Sequence, residues 1–289
     1  MSRRGQHFPL VALATGAALL PACAADLPVA TPAPSPSVTT SEAPSAPPSA
    51  TPSAAPTIRP TRSASPTPTA TSSATPTSTT LPGWLAGGVV GVLPTSRHVV
   101  ALTFDCGSGA QGVPRIVATL LAQHVPATFF VTGNFARANP GVVAALVHDG
   151  FLVGNHTMTH PHVSQLSTYA LTSEITGAAA SITAVTRAPV KPWFRFPYGE
   201  YTSAALRLVH QLGYGAIGWT VDSRGWQGRA AGTVADVVAR VRNAVRPGAI
   251  VLMHVGANPD DGTTYDADAL PLVITALRAA GYGFVTVAG

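Results

Sequence analysis

The chain has little charge and almost no cysteine. Only 10% of its 289 residues are Asp, Glu, Lys or Arg, and only two are cysteines. Two cysteines cannot form the disulfide framework that stabilises many small exported domains, so a folded domain here depends on its own hydrophobic core. The net charge of +5 is spread along the chain, without a Lys/Arg cluster interleaved with aromatic residues. This pattern argues against a nucleic-acid-binding protein and is compatible with an anionic surface such as a membrane face or cell wall.

The chain also lacks an apolar run long enough to cross a membrane as a helix. Such a helix needs about 20 apolar residues, whereas the run near the N-terminus covers only residues 10–20 and follows Arg3 and Arg4. This pattern is typical of an export signal, here residues 1–23. The signal ends in Leu20-Pro21-Ala22-Cys23, which resembles a bacterial lipoprotein box and predicts a lipid on Cys23. The alternative is a secreted protein with an incidental cysteine.

Residues 24–82 lack aromatic side chains and consist almost entirely of Pro, Ser, Thr and Ala, with four charged residues. A segment of this composition cannot bury enough apolar surface to offset the entropy that it would lose on ordering. Its proline content favours extended polyproline II. We therefore predict a disordered linker that holds a folded domain, residues 83–289, away from a membrane.

From residue 83 onward, short apolar runs alternate with amphipathic segments. Apolar runs bounded by turn residues predict strands, and apolar residues at i, i+3 and i+4 predict helices. The predicted strands are 99–104, 127–132, 151–155, 193–196, 216–221, 249–254 and 284–287. The predicted helices are 113–123, 140–149, 171–186, 203–212, 234–245 and 269–280. This alternation predicts an α/β fold whose parallel sheet closes into a barrel.

Polar side chains follow several of these strands at the point where each strand ends. They are Asp105, His156, Arg195, Asp222 and His254. In a parallel α/β barrel the carboxyl ends of the strands meet at one face, where active sites lie. We therefore expect these side chains to meet in one site. An acid, an arginine and several histidines together favour a metal-assisted hydrolase.

The segment Asn155-His156-Thr157-Met158-Thr159-His160 contains the most informative pair of residues in the chain. Imidazoles at i and i+4 can bind one metal ion if the backbone between them turns as a helix does. The alternative is a pair of loop histidines with ordinary hydrogen bonds. His162, which follows Pro161, is interpreted as a surface residue.

The other candidates also have structural interpretations. Asp105 can cap the loop that follows its strand or act as a general base. Arg195, within an apolar strand, needs a carboxylate partner if it is buried. His254 can be a core histidine bonded to the backbone. The aromatic residues near the strand ends are either core residues or faces on which sugars stack: Trp193, Tyr198, Trp219 and Trp226.

Four motifs occur along the chain in a fixed order. They are Thr103-Phe104-Asp105, His156-Thr157-Met158-Thr159-His160, Arg195-Phe196-Pro197-Tyr198 and Leu252-Met253-His254. With this set, residues 95–289 resemble the polysaccharide deacetylase family, the NodB-homology enzymes of carbohydrate esterase family 4. The four segments match the first, second, third and fifth motifs of that family, and residues 222–226 stand at the place of its fourth motif. The resemblance implies a distorted (β/α)7 barrel, in agreement with the strand count. It also implies a divalent metal cofactor, usually Zn²⁺.

The resemblance implies a role for each catalytic residue. His156 and His160 would hold the metal, and Asp105 would accept a proton from the attacking water. His254 would protonate the departing amine. Arg195 would orient Asp105 and tune its charge.

The resemblance also implies four substrate contacts. The backbone N–H of Tyr198 would help to stabilise the oxyanion. Leu252 would line a small pocket for the acetyl methyl group. Asp222 and Trp226, from the fourth motif, complete the substrate-binding set.

Two positions depart from the family pattern. Cys106 stands where the family usually has a second Asp that binds the metal. Its thiolate either replaces that ligand or points away, and the sequence favours the second alternative. In the fourth motif, Asp222-Ser223-Arg224-Gly225-Trp226, Gly225 stands where the family usually has an Asp that partners the motif-three arginine. Either Asp222 or solvent must then compensate the positive charge of Arg195, or the charge balance at Asp105 differs from that in the family.

The leading hypothesis is a metal-dependent enzyme that removes N-acetyl groups from a cell-wall polysaccharide. Peptidoglycan is the favoured substrate because the predicted lipid anchor and linker place the domain beside that polymer. An O-acetyl esterase on xylan or another glycan is the second hypothesis, since the same attack serves amides and esters. A carbohydrate-binding homologue with impaired catalysis is the third. The expected partners are an acetylated glycan and, through lipidated Cys23, the outer face of the membrane, with no nucleic acid.

Overall fold

The computed structural model describes residues 81–107 and 109–289. The predictions for the export signal, for Cys23 and for the linker up to residue 80 lie outside these residues. Among the helices of the described part, none is both long and apolar enough to cross a membrane.

The described residues form a curved parallel sheet with helices packed against it. The strands are β1 (Val99–Cys106), β2 (Thr128–Val131), β3 (Leu152–Asn155), β4 (Trp193–Phe194), β5 (Gly215–Ala216), β6 (Val221–Asp222), β7 (Ile250–His254) and β8 (Gly283–Val285). Their order in the sheet is β5-β4-β3-β2-β1-β7-β6, and β8 pairs with β1. The predicted α/β class and distorted barrel are confirmed.

Eight α-helices flank the sheet in the described part of the chain. They are α1 (Gly83–Ala86), α2 (Val113–Ala122), α3 (Gly133–Ala138), α4 (Pro140–His148), α5 (Thr168–Thr186), α6 (Ser203–Gln211), α7 (Val234–Ala244) and α8 (Tyr265–Ala279). Side-chain oxygens of Thr132, Ser167, Thr202 and Thr233 accept a backbone N–H in the first turn of α3, α5, α6 and α7. Such caps stabilise helix starts. The short helices α1 and α3 were not predicted from the sequence.

The predicted strand 216–221 is divided in the structure. β5 pairs with β4 at one end of the sheet, whereas β6 pairs with β7 at the other end. The carbonyls of Ile217 and Gly218 between them accept hydrogen bonds from Arg195 at 3.2 and 3.0 Å, so they are not available to a neighbouring strand. Val90 pairs with Ile217, and Val92 with Ala249, so the segment before β1 bridges the two ends of the sheet.

Strand β1 is buried along its whole length and separates two apolar clusters. Phe104 and Cys106 belong to the larger cluster, which includes residues from the helices. Val99 and Ala101 belong to a smaller cluster on the other face of the sheet. Successive side chains of a strand point to opposite faces, so Asp105 shares the face of Val99 and Ala101. Neighbouring residues 105 and 106 are thereby directed into different surroundings.

Candidate active site

An open cavity of about 550 Å³ lies at the carboxyl ends of the strands. Most of the predicted site residues line it: Asp105, His156, His160, Tyr198, Asp222, Trp226, Leu252 and His254. The structure thus brings residues from five separate motifs to one place. Two predicted residues, Arg195 and Cys106, are not part of the lining.

Asp105 lies at the inner wall of the cavity, beside Arg195. Its Oδ1 accepts a hydrogen bond from Nη1 of Arg195 at 2.8 Å. Asp105 is only 8% exposed and Arg195 is fully buried. Burial raises the pKa of Asp105, but the opposing effects of Arg195, His156 and His254 are larger, so the pKa lies below its ordinary value. Asp105 is therefore ionised at neutral pH, as a proton acceptor must be.

Arg195 is held by the backbone and by two aromatic rings as well as by Asp105. Its Nε and Nη2 donate to the carbonyls of Ile217 and Gly218. Its Cζ lies 4.1 Å from the ring centroid of Phe130 and 5.7 Å from that of Trp219. Each of the three guanidinium nitrogens thus has an acceptor, and these contacts fix the direction in which the guanidinium meets Asp105.

Of the alternatives for the charge of Arg195, compensation by Asp222 is wrong. Oδ1 of Asp222 accepts a backbone N–H two residues further on at 2.8 Å, and Oδ2 lies 3.4 Å from Nε1 of Trp226. Asp222 therefore shapes the turn that carries Trp226 into the cavity wall. A side chain at Gly225 would not face Arg195 either, because it would overlap Asp266. The charge of Arg195 is balanced by Asp105 itself.

His156 is oriented by the main chain so that one ring nitrogen is free. Its Nδ1–H donates to the carbonyl of Arg195 at 2.9 Å, which leaves the lone pair on Nε2. Nε2 is buried, has no hydrogen-bond partner among the described residues, and lies 3.3 Å from Oδ2 of Asp105. Burial lowers the pKa of His156, so the ring is neutral. A buried imidazole nitrogen oriented by a carbonyl has the arrangement of a metal ligand.

His160 reaches His156 through a turn and not through a helix. Thr157 and His160 have positive φ angles of 66° and 61°, so the backbone between the two histidines does not turn as a helix does. The ring centroids of the two histidines are 4.8 Å apart. Burial and the neighbouring His156 lower the pKa of His160 to about 4, which leaves its ring neutral at pH 7. Two neutral imidazoles fit a divalent metal, although the described residues contain no group of three His, Cys, Asp or Glu around one metal position.

Glu174, on α5, holds the turn between the two histidines and was not predicted from the sequence. Its Oε2 accepts the backbone N–H groups of Met158 and Thr159, both at 2.8 Å. Its Oε1 accepts the hydroxyl of Thr159 at 2.8 Å. Oδ1 of Asn155 accepts the N–H of Thr157 at 2.9 Å. No local pattern connects Glu174 with this turn, because the two lie on different elements.

Cys106 does not line the cavity. It is fully buried among apolar side chains, and its Sγ lies 3.9 Å from the carbonyl oxygen of Phe104. Burial raises the pKa of the thiol well above its ordinary value, and Asp105 raises it further. A thiolate ligand does not fit this placement. The placement agrees with the other alternative, in which Cys106 points away.

Tyr198 forms the rim of the cavity next to the histidine turn. Its ring centroid lies 4.5 Å from that of His160 and 4.3 Å from that of His162, on which it is stacked. Nδ1 of His162 lies 2.9 Å from Oε2 of Glu200. His162 is therefore a support for Tyr198 and not only a surface residue. Tyr198 and Trp226 are 57% and 47% exposed, which leaves two aromatic faces on which sugar rings can stack.

His254 lies on the other side of Asp105. The register of β1 and β7 pairs these two residues directly, and Leu252 precedes His254 on the same face of β7. Burial lowers the pKa of His254, but the carboxylates of Asp266, Asp105 and Asp222 outweigh it, so the pKa is raised. His254 therefore keeps its proton to higher pH than an ordinary histidine, as a proton donor must.

Comparison with known proteins agrees with this site. Residues 93–217 match the family model described as polysaccharide deacetylase. A chitooligosaccharide deacetylase of Bradyrhizobium sp. (strain ANU 289) is 36% identical over 191 residues, which cover 63% of this chain and 86% of that protein. A peptidoglycan-N-acetylglucosamine deacetylase of Bacillus cereus is 30% identical over 193 residues, which cover 67% of this chain and 68% of that protein.

A solved structure shows the same fold. The crystal structure of a CE4 family pseudoenzyme from Bacillus anthracis is similar with a TM-score of 0.61 at 30% identity, over 67% of this chain and 65% of that one. The family match includes Asp105, both histidines of the turn and Arg195. The matched sequence, the parallel sheet and the cavity at its carboxyl edge lead to one conclusion: the chain belongs to the polysaccharide deacetylase family.

Proposed function

We propose that this chain removes N-acetyl groups from an N-acetylglucosamine-containing cell-wall glycan, and that peptidoglycan is its substrate. The observation that carries the proposal is the meeting of a proton acceptor and a proton donor in one cavity. Asp105 is ionised, His254 has a raised pKa, and the two lie on paired strands. Hydrolysis of an amide needs both groups, one to activate water and one to protonate the departing nitrogen.

His156 and His160 would hold a divalent metal ion, for which we propose Zn²⁺. Both rings are neutral, and Nε2 of His156 is buried without a hydrogen-bond partner in the described part of the chain. These are the properties of imidazole ligands. When bound there, such an ion polarises the acetyl carbonyl and lowers the pKa of a coordinated water.

Asp105 accepts the proton of the attacking water. Its Oδ1 is held by Arg195, and its Oδ2 faces the metal-binding side of the cavity, 3.3 Å from Nε2 of His156. Arg195 cannot take the proton itself because it carries its own. The ion pair therefore fixes the direction of the carboxylate and keeps it ionised until the water arrives.

His254 gives its proton to the departing nitrogen. An amide nitrogen is a poor leaving group until it is protonated, so a donor whose raised pKa keeps it protonated at neutral pH suits an N-acetyl substrate. Tyr198 lines the same cavity, and its backbone N–H would help to stabilise the oxyanion.

The cavity suits a sugar polymer. It is open to solvent, and the exposed rings of Tyr198 and Trp226 border it. Leu252, only 4% exposed, supplies an apolar surface for the acetyl methyl group. Two relatives of this chain are named chitooligosaccharide deacetylase and peptidoglycan-N-acetylglucosamine deacetylase. Peptidoglycan is favoured here because the predicted lipoprotein signal and linker place the domain beside the cell wall.

We also propose that the protein is exported and anchored through a lipid on Cys23. The support is the short apolar run ahead of Leu20-Pro21-Ala22-Cys23. Mass spectrometry of the mature N-terminus tests this proposal. An unmodified N-terminus that begins elsewhere would show a secreted protein.

Acetate release tests the activity. Zinc-loaded protein is incubated with peptidoglycan, chitooligosaccharides and acetylxylan, and released acetate is measured by mass spectrometry beside Asp105→Asn and His254→Ala. We expect peptidoglycan to give the highest kcat/KM and both variants to be nearly inactive. Release from acetylxylan alone would establish the esterase. Binding of glycan without any release would establish an impaired homologue.

A further inference from the structure

A buried carboxylate contacts His254 and is not used by the proposed mechanism. Asp266 lies in the first turn of α8 and is 3% exposed. Its Oδ2 accepts the backbone N–H of His254 at 2.8 Å and lies 3.7 Å from Nδ1 of the same residue. Asp266 therefore faces both the backbone and the ring of His254.

Two buried polar atoms at this contact have no hydrogen-bond partner among the described residues. They are Nδ1 of His254 and Oδ1 of Asp266. Burying polar atoms without a partner is unfavourable. The distance of 3.7 Å between Nδ1 of His254 and Oδ2 of Asp266 is less than about 1 Å longer than an ordinary hydrogen bond. A small rotation of the imidazole therefore forms a hydrogen bond between the ring and the carboxylate. Catalytic hydrogen bonds are often long before substrate binds and tighten afterwards.

A carboxylate bound to Nδ1 of His254 fixes which nitrogen of the imidazole faces the substrate. Nδ1 of His254 is buried, whereas 29% of the side chain is exposed at the cavity, so the opposite edge with Nε2 faces the substrate. The carboxylate holds a proton on Nδ1 and stabilises the imidazolium. Nε2–H is then available to the departing amine.

Gly225 leaves the space that the Asp266 carboxylate occupies. A Cβ on Gly225 would overlap Oδ1 and Cγ of Asp266. Gly225 begins a short 3₁₀ helix after β6, and Asp266 lies at the start of α8 after β7. The carboxylate of Asp266 therefore packs into the space that the absence of a side chain at Gly225 leaves.

We propose that Asp266 is the positioning residue of the proton donor, that it holds the His254 ring through Nδ1–H, and that Gly225 is the position that admits it. The inference rests on the proposed function, because it uses His254 as the donor. The other charged groups that act on His254 are Asp105 from β1 and Asp222 from β6. Asp266 differs from them in contacting the backbone N–H as well.

Substitution of Asp266 tests this role. Asp266→Asn keeps the shape and an acceptor for the His254 N–H but removes the charge. We expect kcat to fall about tenfold with KM within about twofold, and Asp266→Ala to lower kcat about 100-fold. The alkaline limb of kcat should move to lower pH in Asp266→Asn, since loss of the negative charge lowers the pKa of the donor.

Asp268→Asn is the matched control. Asp268 lies in the same helix turn and pairs with Arg115 on the surface, so its substitution removes the same charge without touching His254. We expect kcat and its alkaline limb to stay unchanged in this variant. Gly225→Ala should lower kcat in wild type and have no further effect in Asp266→Ala, because both changes remove the same contact. Thermal unfolding shows whether each variant is folded.

An NMR titration of the His254 ring separates this inference from the proposed function, since it requires no turnover. We expect a lower His254 pKa in Asp266→Asn than in wild type and Asp268→Asn. An unchanged titration together with wild-type kcat in both Asp266 variants would overturn the role of Asp266. A wild type that releases no acetate would overturn the proposed function, and the titration would still decide whether Asp266 controls the ring.

Discussion

We expect Arg195→Met to destabilise the fold and to shift the pH dependence of activity. The guanidinium is fully buried and donates to Asp105 and to the carbonyls of Ile217 and Gly218. Methionine has a similar volume, so the contribution of an empty cavity is small. It leaves Asp105 as an uncompensated buried charge. Removing one partner of a buried ion pair lowers the free energy of unfolding by about 3–5 kcal/mol, out of about 5–15 kcal/mol for a typical domain.

The shift with pH has a defined sign. Burial raises the pKa of Asp105, and Arg195 is the largest of the effects that lower it below 3.8. A carboxylate with a depressed folded-state pKa contributes stability above its unfolded pKa, and this contribution is lost as pH falls through the folded pKa. Without Arg195 the folded pKa rises. The stability lost relative to wild type is therefore largest at neutral pH, and the acid limb of kcat/KM moves to higher pH.

Urea unfolding followed by circular dichroism measures the stability change. Arg195→Lys should lie between wild type and Arg195→Met, since lysine keeps the charge but lacks the planar fork of donors. Arg115→Met is the control, because Arg115 forms an exposed pair with Asp268, and such pairs contribute less than about 1 kcal/mol. A loss below about 1 kcal/mol in Arg195→Met, with an unchanged acid limb, would refute the ion pair as the support of Asp105.

Four further outcomes are expected. Metal removal should abolish acetate release while the circular dichroism spectrum stays unchanged, because the two apolar clusters that hold the fold do not include the two histidines proposed as ligands. Full activity of verified metal-free protein would contradict the proposed metal site. Asp105→Asn should lower kcat more than about 100-fold with unchanged zinc content, whereas loss of zinc would make Asp105 a ligand. Glu174→Ala should weaken zinc affinity about 10- to 100-fold by releasing the histidine turn, and Ser173→Ala, its exposed neighbour, should not. Cys106→Ala should leave zinc affinity within about twofold, because Sγ lies in the core; a tenfold loss, measured by competition with a chelator, would place the thiol at the metal.

Periodicity was sufficient for most of the longer elements. Strand 99–104 was predicted from its apolar run and is observed as Val99–Cys106, with all its residues buried. Helix 234–245 is observed as Val234–Ala244, where Thr233 and Asp236 form a capping box. The capping box joins residues three apart, and the apolar run of β1 is itself a local pattern, so both can be recognised from the sequence. The prediction for 216–221 was wrong because the carbonyls in its middle bond to the side chain of Arg195, which follows β4.

By itself, the order of residue types along the chain determined the α/β fold and the strand ends at which the site residues lie. Parallel strands deliver their carboxyl ends to one face, so Asp105, His156 and His254 had to approach one another. Only the tertiary structure decided their partners. The pleat of β1 directs Cys106 into the core, the main chain at 217–218 completes the bonding of Arg195, and Asp266 takes the space left by Gly225. These contacts join residues far apart in sequence, and their geometry depends on how whole elements pack, which no local pattern records.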